Sequence, residues 1–347
     1  MMNDGLFFSC GCSDDDRGGL YLCGEDGTGT FSTRAVTPLR GTNYLCFSPD
    51  GRTLYATWNE GRTGGAAAYR LAPDGSLAFL NKAGSEGAAA CHLTASPDGG
   101  FLYVVNYSSG NFAEFKLAED GSIESRTRVV SHGAYPLGPR TDRQESAHTH
   151  CARFTPDGRY LCIVDLGVDR IFFYPYAAGK GIVETPAVHV CDPADGPRHI
   201  IFDAAGTTAY VINELGNSVT AFRYADGALE KIAKYTTLPE NCTAKTKAAA
   251  IRLSRDGRFL YASNRGYDSI ACFRVVKPGE LTLLDIVDAR GESPRDINFL
   301  PSGNVLAASN EFSDRICLFR FDAATGALSY QEGRDVSDEP RPLCIEY

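Results

Sequence analysis

Residues 144–174 read QESAHTHCARFTPDGRYLCIVDLGVDRIFFY. Two histidines, His148 and His150, stand immediately before a short apolar run. A turn, Thr155-Pro156-Asp157-Gly158, leads into a second run, Tyr160 to Val164, which ends on Asp165-Leu166-Gly167. A third run covers Arg170 to Tyr174. Short runs rich in aromatic and β-branched residues, separated by turn chemistry, specify an antiparallel meander. In an up-and-down meander the start of the first strand and the end of the second share one edge of the sheet. The histidines and Asp165 are therefore expected side by side, with the Pro-Asp-Gly turn on the opposite edge.

The unit recurs. Turn glycines stand at 51, 99, 158, 206, 257 and 303, at intervals of 48, 59, 48, 51 and 46 residues. A period near fifty with three or four strands per unit is the signature of propeller blades. Seven residues past each glycine comes a polar position: Trp58, Asn106, Asp165, Asn213, Asn264 and Asn310. Its recurrence from blade to blade points to a structural turn role. Six units are complete, and the termini hold parts of one more. The segment Arg341-Pro-Leu-Cys-Ile-Glu-Tyr347 reads as a first strand, and Leu6–Cys10 and Gly19–Cys23 as second and third strands. Joined, they make a seventh blade that closes the ring and removes its free edges. The expected architecture is all-β: one seven-bladed propeller domain over residues 1–347.

Composition fits this and narrows the partners. A net charge of −9 argues against a nucleic-acid or anionic-membrane surface. The opening MMNDGLFFSCGCSDDD lacks a basic segment followed by a long apolar core, so the expected location is the cytoplasm. The expected assembly is a monomer or weak homo-oligomer. Most of the twelve cysteines fall inside strand runs and no CxxC occurs, so they read as buried thiols rather than metal ligands.

Counting back six residues from each turn proline position gives the mouth-side start of each innermost strand: Asn43, Cys91, His150, Arg198, Ala249 and Arg295. Arg341 occupies a similar setting. Just past the second strands stand Glu60, Glu214, Arg265 and Glu311. A propeller gathers such positions around its central channel. The 59-residue interval holds its surplus in residues 131–140, a loop leading straight to the histidines and able to cover a site. Arginine forks suit carboxylate or phosphate, and histidine supplies a base near neutral pH, so the mouth is expected to take a small anion. His148, His150, Arg198, Glu214 and Arg265 break the repeat and are the functional candidates; the isolated His92, His132 and His189 read as structural. The arginines would repel a divalent cation, so neither metal nor other cofactor is expected.

At these residues the chain resembles the seven-bladed propeller lactonases of the 6-phosphogluconolactonase type, which include carboxy-cis,cis-muconate cyclase. The matching segments are QESAHTH (144–150), VDLGVDR (164–170), GPRH (196–199), VINELGNSV (211–219), LYASNRGYDSI (260–270) and SPRDINF (293–299). The resemblance implies lactone chemistry without an obligatory metal, and active-site roles for a histidine of the HTH segment, Arg198, Glu214 and Arg265. The expected substrate is a small anionic lactone, 6-phosphoglucono-1,5-lactone or a related sugar lactone. His148 or His150 would activate water, Arg265 would face the oxyanion, and Arg198 with Arg295 would hold the phosphate. Glu214 would orient a histidine or act as the alternate base. A lactone-forming carboxymuconate cycloisomerase and a non-enzymatic scaffold are the alternatives. Two departures from the family pattern stand out: Ala249-Ala250-Ile251-Arg252 where the family has Ala-Glu-Ile-His, and Tyr267 where a histidine is common.

Overall fold

A computed structural model of the chain describes residues 6–13, 17–27, 30–337 and 339–347. Of the opening stretch read above, residues 1–5 and 14–16 lie outside these. The described residues form strands and turns with no helix, and so none long and apolar enough to cross a membrane. They build seven antiparallel sheets, each with its earliest strand innermost except the last. Blade 1 spans residues 45–84, blade 2 90–131, blade 3 149–190, blade 4 197–236, blade 5 247–288 and blade 6 294–337. In blade 7 the order from inside out is Pro342–Glu346, Leu6–Gly11, Gly19–Glu25 and Phe31–Pro38. The two ends of the chain thus pair as expected, with Ser9 opposite Ile345.

The turns of blades 1, 2, 3 and 5 repeat one local solution. At the blade 3 turn Thr155 Oγ1 donates to Asp157 Oδ1 at 2.5 Å, and that carboxylate accepts the Arg159 amide at 3.1 Å. Gly158 takes φ 69°, a left-handed value that glycine adopts without a Cβ clash. Core side chains fill the wedges between adjacent blades: Tyr103 and Val105 of blade 2 pack with Ile163 and Phe172 of blade 3, and Ile316 of blade 6 with Phe7 of blade 7. Nine of the twelve cysteines are buried in these wedges. Outer strands were the faintest part of the sequence reading for a physical reason. Ile123–Ser131 is exposed at most of its positions, so it carries no apolar alternation.

One irregularity recurs where it matters. In blade 3 Thr149 opposes Asp165 and Cys151 opposes Val164, so His150 is the extra residue of a β-bulge. The same slip isolates Cys91 in blade 2, Arg198 in blade 4 and Arg295 in blade 6, and widens to Ala249-Ala250 in blade 5. A bulge sets two residues against one, breaks the alternation and re-aims a side chain. Here it does so at the mouth-side end of every one of these innermost strands.

Candidate active site

The bulges place His150, Arg198 and Arg295, and the ends of second strands place the rest. Glu214 follows Thr208–Asn213, its amide donating to Gly196 O at 2.8 Å; Glu311 follows Val305–Asn310, its amide bound to Ser293 O at 3.0 Å. Arg265 ends the strand Phe259–Arg265. The long loop ahead of blade 3 is pinned by Gln144, whose Nε2 donates to Leu166 O at 2.9 Å, and it delivers Arg143 to the same point.

Glu214 is the hub. Its carboxylate meets Arg143 at 2.6 Å, Arg265 at 2.7 Å and Arg198 at 3.4 Å, and it is 3 % exposed. Burial alone would raise this carboxyl, but the Arg265, Arg198 and Arg143 charges hold it well below the usual range. A second carboxylate, Glu311, pairs with Arg341 at 2.6 Å and Arg295 at 3.5 Å. Lys247 stands near Arg143, Glu214, Arg265 and Arg295, and burial followed by the Arg143 charge lowers its ammonium. Five guanidiniums therefore share two carboxylates, with the Lys247 ammonium nearby, inside a protein whose net charge is negative. An open cleft of about 460 Å3 adjoins them, lined by Lys245, Lys247, Arg265, Arg295, Glu311 and Phe312 among others.

Below the cleft the channel is filled by rings from four successive blades. Tyr44 stacks on His92 at 3.9 Å, and His199 sits 5.3 Å from both His92 and His150. His150 Nδ1 is buried without a hydrogen-bond partner, and burial followed by the Arg198 charge pushes this imidazole well below its ordinary value. It is neutral at pH 7. Arg198 donates through Nη1 to Ala249 O at 2.6 Å and lies 3.3 Å from His199 Nε2. Since a guanidinium only donates, that nitrogen is the acceptor and His199 carries its proton on Nδ1. Burial, then Arg265 and Arg295, push Arg198 below its ordinary value, yet a guanidinium keeps its charge at neutral pH.

His150, Arg198, Glu214 and Arg265 are thus brought together, and Arg295 adjoins them along the cleft. His148 is placed differently. Its ring lies flat on Tyr107 at 4.3 Å, Nδ1 donates to Tyr107 O at 2.9 Å, and Nε2 faces Glu145 at 3.2 Å. Asp165 does sit beside it, accepting the His148 amide at 2.8 Å. Glu60 is exposed and pairs with Lys82, away from the cluster. Ala250 is buried in the wedge between blades 5 and 6, and Tyr267 lines a neighbouring cleft with Asp288 and Arg290. His132 is buried between Asp165 at 2.9 Å and Tyr174 at 3.1 Å, which fits its structural reading.

Sequence reasoning passed over Arg143, Tyr107 and Lys247, and it set His92 aside as isolated. Arg143 had a signal, since it lies in the only surplus-length interval, three residues beyond the stretch singled out there. His199 stands next to Arg198, but in a regular strand neighbours face opposite ways. Only the bulge turns both toward the channel. Among the described residues no group of three His, Cys, Asp or Glu side chains is arranged to hold a metal.

Residues 12–347 match the family described as lactonase, 7-bladed beta-propeller. A 6-phosphogluconolactonase from Bacillus subtilis is 36% identical over 318 residues, 90% of this chain and 89% of its own. The structure of a periplasmic gluconolactonase from Pseudomonas aeruginosa superposes with a TM-score of 0.89 at 30% identity, covering 99% of this chain and 98% of that one. A protein from Lactobacillus plantarum does so with 0.91 at 29% identity, covering 99% of each. The chain belongs to the seven-bladed β-propeller lactonase family.

Proposed function

We propose that this chain hydrolyses an anionic sugar lactone, with 6-phosphoglucono-1,5-lactone the best-fitting substrate. The observation that carries the reading is a buried, neutral His150 beside Arg198, Glu214, Arg295 and Arg265, with Arg265 and Arg295 also lining an open cleft. The Bacillus subtilis relative supports the phosphorylated sugar, and the Pseudomonas aeruginosa gluconolactonase supports the lactone ring.

In this reading the neutral His150 imidazole takes a proton from water as the water oxygen bonds to the lactone carbonyl carbon. The carbonyl becomes an oxyanion, stabilised by a fixed guanidinium. The ring C–O bond then breaks, the ring oxygen takes the proton back from His150, and the open-chain hydroxy acid leaves. The depth of each arginine argues for exchanging the roles expected from sequence. Arg198 lies at the floor beside the histidines and faces the oxyanion, whereas Arg265 and Arg295 line the open cleft and hold the phosphate. Glu214, ringed by three arginines and held strongly acidic, positions them and does not serve as a base. His148 has both ring nitrogens directed at acceptors, which makes it a positioning residue for Tyr107.

The test is a pH-stat assay of purified protein on 6-phosphoglucono-1,5-lactone, glucono-1,5-lactone and a carboxymuconate. Turnover of both lactones is expected, with kcat/KM higher for the phosphorylated one by about tenfold or more, since arginine pairs the phosphate bidentately. Turnover confined to the carboxymuconate would overturn the reading in favour of lactone formation.

A further inference from the structure

The channel has a second end. On the edge that carries the Pro-Asp-Gly turns, a cleft of about 450 Å3 is lined by Arg153, Arg252, Asn298, Glu346 and Tyr347, with apolar side chains between them. It shares no lining residue with the mouth. The packed rings of Tyr44, His92 and His199, none more than 6 % exposed, fill the space between the two.

The two arginines of this cleft are in different states. Arg252 is committed: it pairs with Asp296 at 3.0 Å and donates to Ile251 O at 3.0 Å. Asp296 is itself anchored by the Ile345 amide at 3.0 Å. Among the described residues Arg153 has no carboxylate in ion-pair contact, and its Nε is buried without a hydrogen-bond partner. It is the penultimate residue of the strand Thr149–Phe154, beside Glu346 at the end of Pro342–Glu346, and Glu346 makes no ion pair with either guanidinium. A buried donor left unsatisfied costs about 1–3 kcal/mol. A guanidinium so placed next to a second fixed cation is a fork waiting for an oxyanion.

We propose that the end of the channel opposite the mouth is a second binding site, for a phosphate-sized oxyanion, free or as the head of a phosphate ester, held by the Arg153 fork with Arg252 as the second cation. The inference does not depend on the lactonase reading. Glu346 couples the site to pH. Partial burial pushes its carboxyl up to about 7, with Arg252 and Arg153 opposing and Asp296 reinforcing, while the half-buried Cys46 and the buried Cys344 and Tyr44 close the remaining side. Protonated, Glu346 tolerates the anion and can donate to it; ionised, it repels it. Binding therefore tightens as pH falls through about 7.

The experiment is isothermal titration with sulfate, which stays doubly charged throughout, at pH 6 and pH 8. It uses the full chain carrying Arg265→Ala and Arg295→Ala so that the mouth is disabled. One sulfate is expected to bind, about tenfold more tightly at pH 6. Adding Arg153→Gln abolishes it, Arg153→Lys weakens it, and Glu346→Gln keeps binding while flattening the pH dependence. Displacement of sulfate by a hexose phosphate more strongly than by inorganic phosphate identifies the ester as ligand; equal displacement identifies the bare ion. Sulfate binding unchanged in both Arg153 variants, or absent from the mouth-disabled chain, would overturn the proposal. Should Arg153→Gln not fold, selenate located crystallographically decides: anomalous density at Arg153 supports the site, and density at the mouth alone refutes it.

Discussion

Two sets of residues recur once in each of blades 2 to 6, and they have opposite characters. The first closes the second strands: Asn106, Asp165, Asn213, Asn264 and Asn310, all buried and chemically near-uniform. These side chains tie the local turn or the connection arriving from the preceding blade. Asn213 donates to Ser218 and Thr220, Asn264 binds the Thr237 carbonyl at 2.9 Å, and Asp165 collects the amides of His148, Gly167 and Val168. The second set occupies the bulges: Cys91, His150, Arg198, Ala249 and Arg295. It is uniform in geometry and diverse in chemistry. A position that repeats its residue serves the blade, whereas a position that repeats only its backbone irregularity is available for a site.

The largest expected effect of breaking this pattern is at His150. His150→Gln should lower kcat by about 10²–10⁴-fold, the usual worth of a general base, while His148→Gln lowers it less than tenfold. Equal losses in the two variants, measured by pH-stat with folding verified by circular dichroism, would mean the bulge confers nothing that its strand neighbour lacks.

The next effect separates the arginines within the second set. Arg295→Lys keeps the charge and loses the fork, so KM should rise several-fold for the phosphorylated lactone and little for the unphosphorylated one. Arg198→Lys should depress kcat on both substrates alike. If both variants discriminate between the lactones in the same way, depth in the channel does not assign their roles.

A smaller and more distributed effect concerns acid. Burial holds His92, His150 and His199 below their ordinary imidazole values, with neighbouring arginine charges adding to it. Their folded values lie below the unfolded value near 6.5, so they impose no cost above that pH. As pH falls below about 6.5 the unfolded chain takes up protons that the folded channel refuses, and stability declines. The slope of unfolding free energy against pH should flatten by nearly one proton in His92→Phe; an unchanged slope would show that the plug does not exclude protons. The smallest expected effect is none at all: exhaustive chelation should leave turnover intact, and loss with EDTA restored by calcium would show that the carboxylates rather than the arginines control the mouth.

Much of this was legible because repeats carry their own register. The glycine interval fixed the blade count, and residues 341–347 with Leu6 to Cys10 were readable as one blade because each lacked what the other had. The innermost positions of His150, Arg198 and Arg295 followed from counting back to the turn. What stayed hidden has a common cause. Whether His92 and His199 face the channel depends on bulges, and a bulge in a buried strand leaves no mark in residue type. Arg143 reaches Glu214 only through the path of a loop, which spacing does not determine. The outer strands were faint because half-exposed positions tolerate either polarity.

Blade 4 holds both sets side by side, since Asn213 pairs with Pro197, the residue before Arg198. Measuring kcat and unfolding midpoint for Asn213→Ala and Arg198→Lys in parallel tests the distinction most directly. Asn213→Ala should cost about 1–3 kcal/mol of stability through lost buried hydrogen bonds, with kcat of the folded enzyme within about twofold of wild type. Arg198→Lys should remain folded at the assay temperature and lose about 10²–10³-fold in kcat. A loss of turnover in Asn213→Ala as large as that in Arg198→Lys would contradict the account.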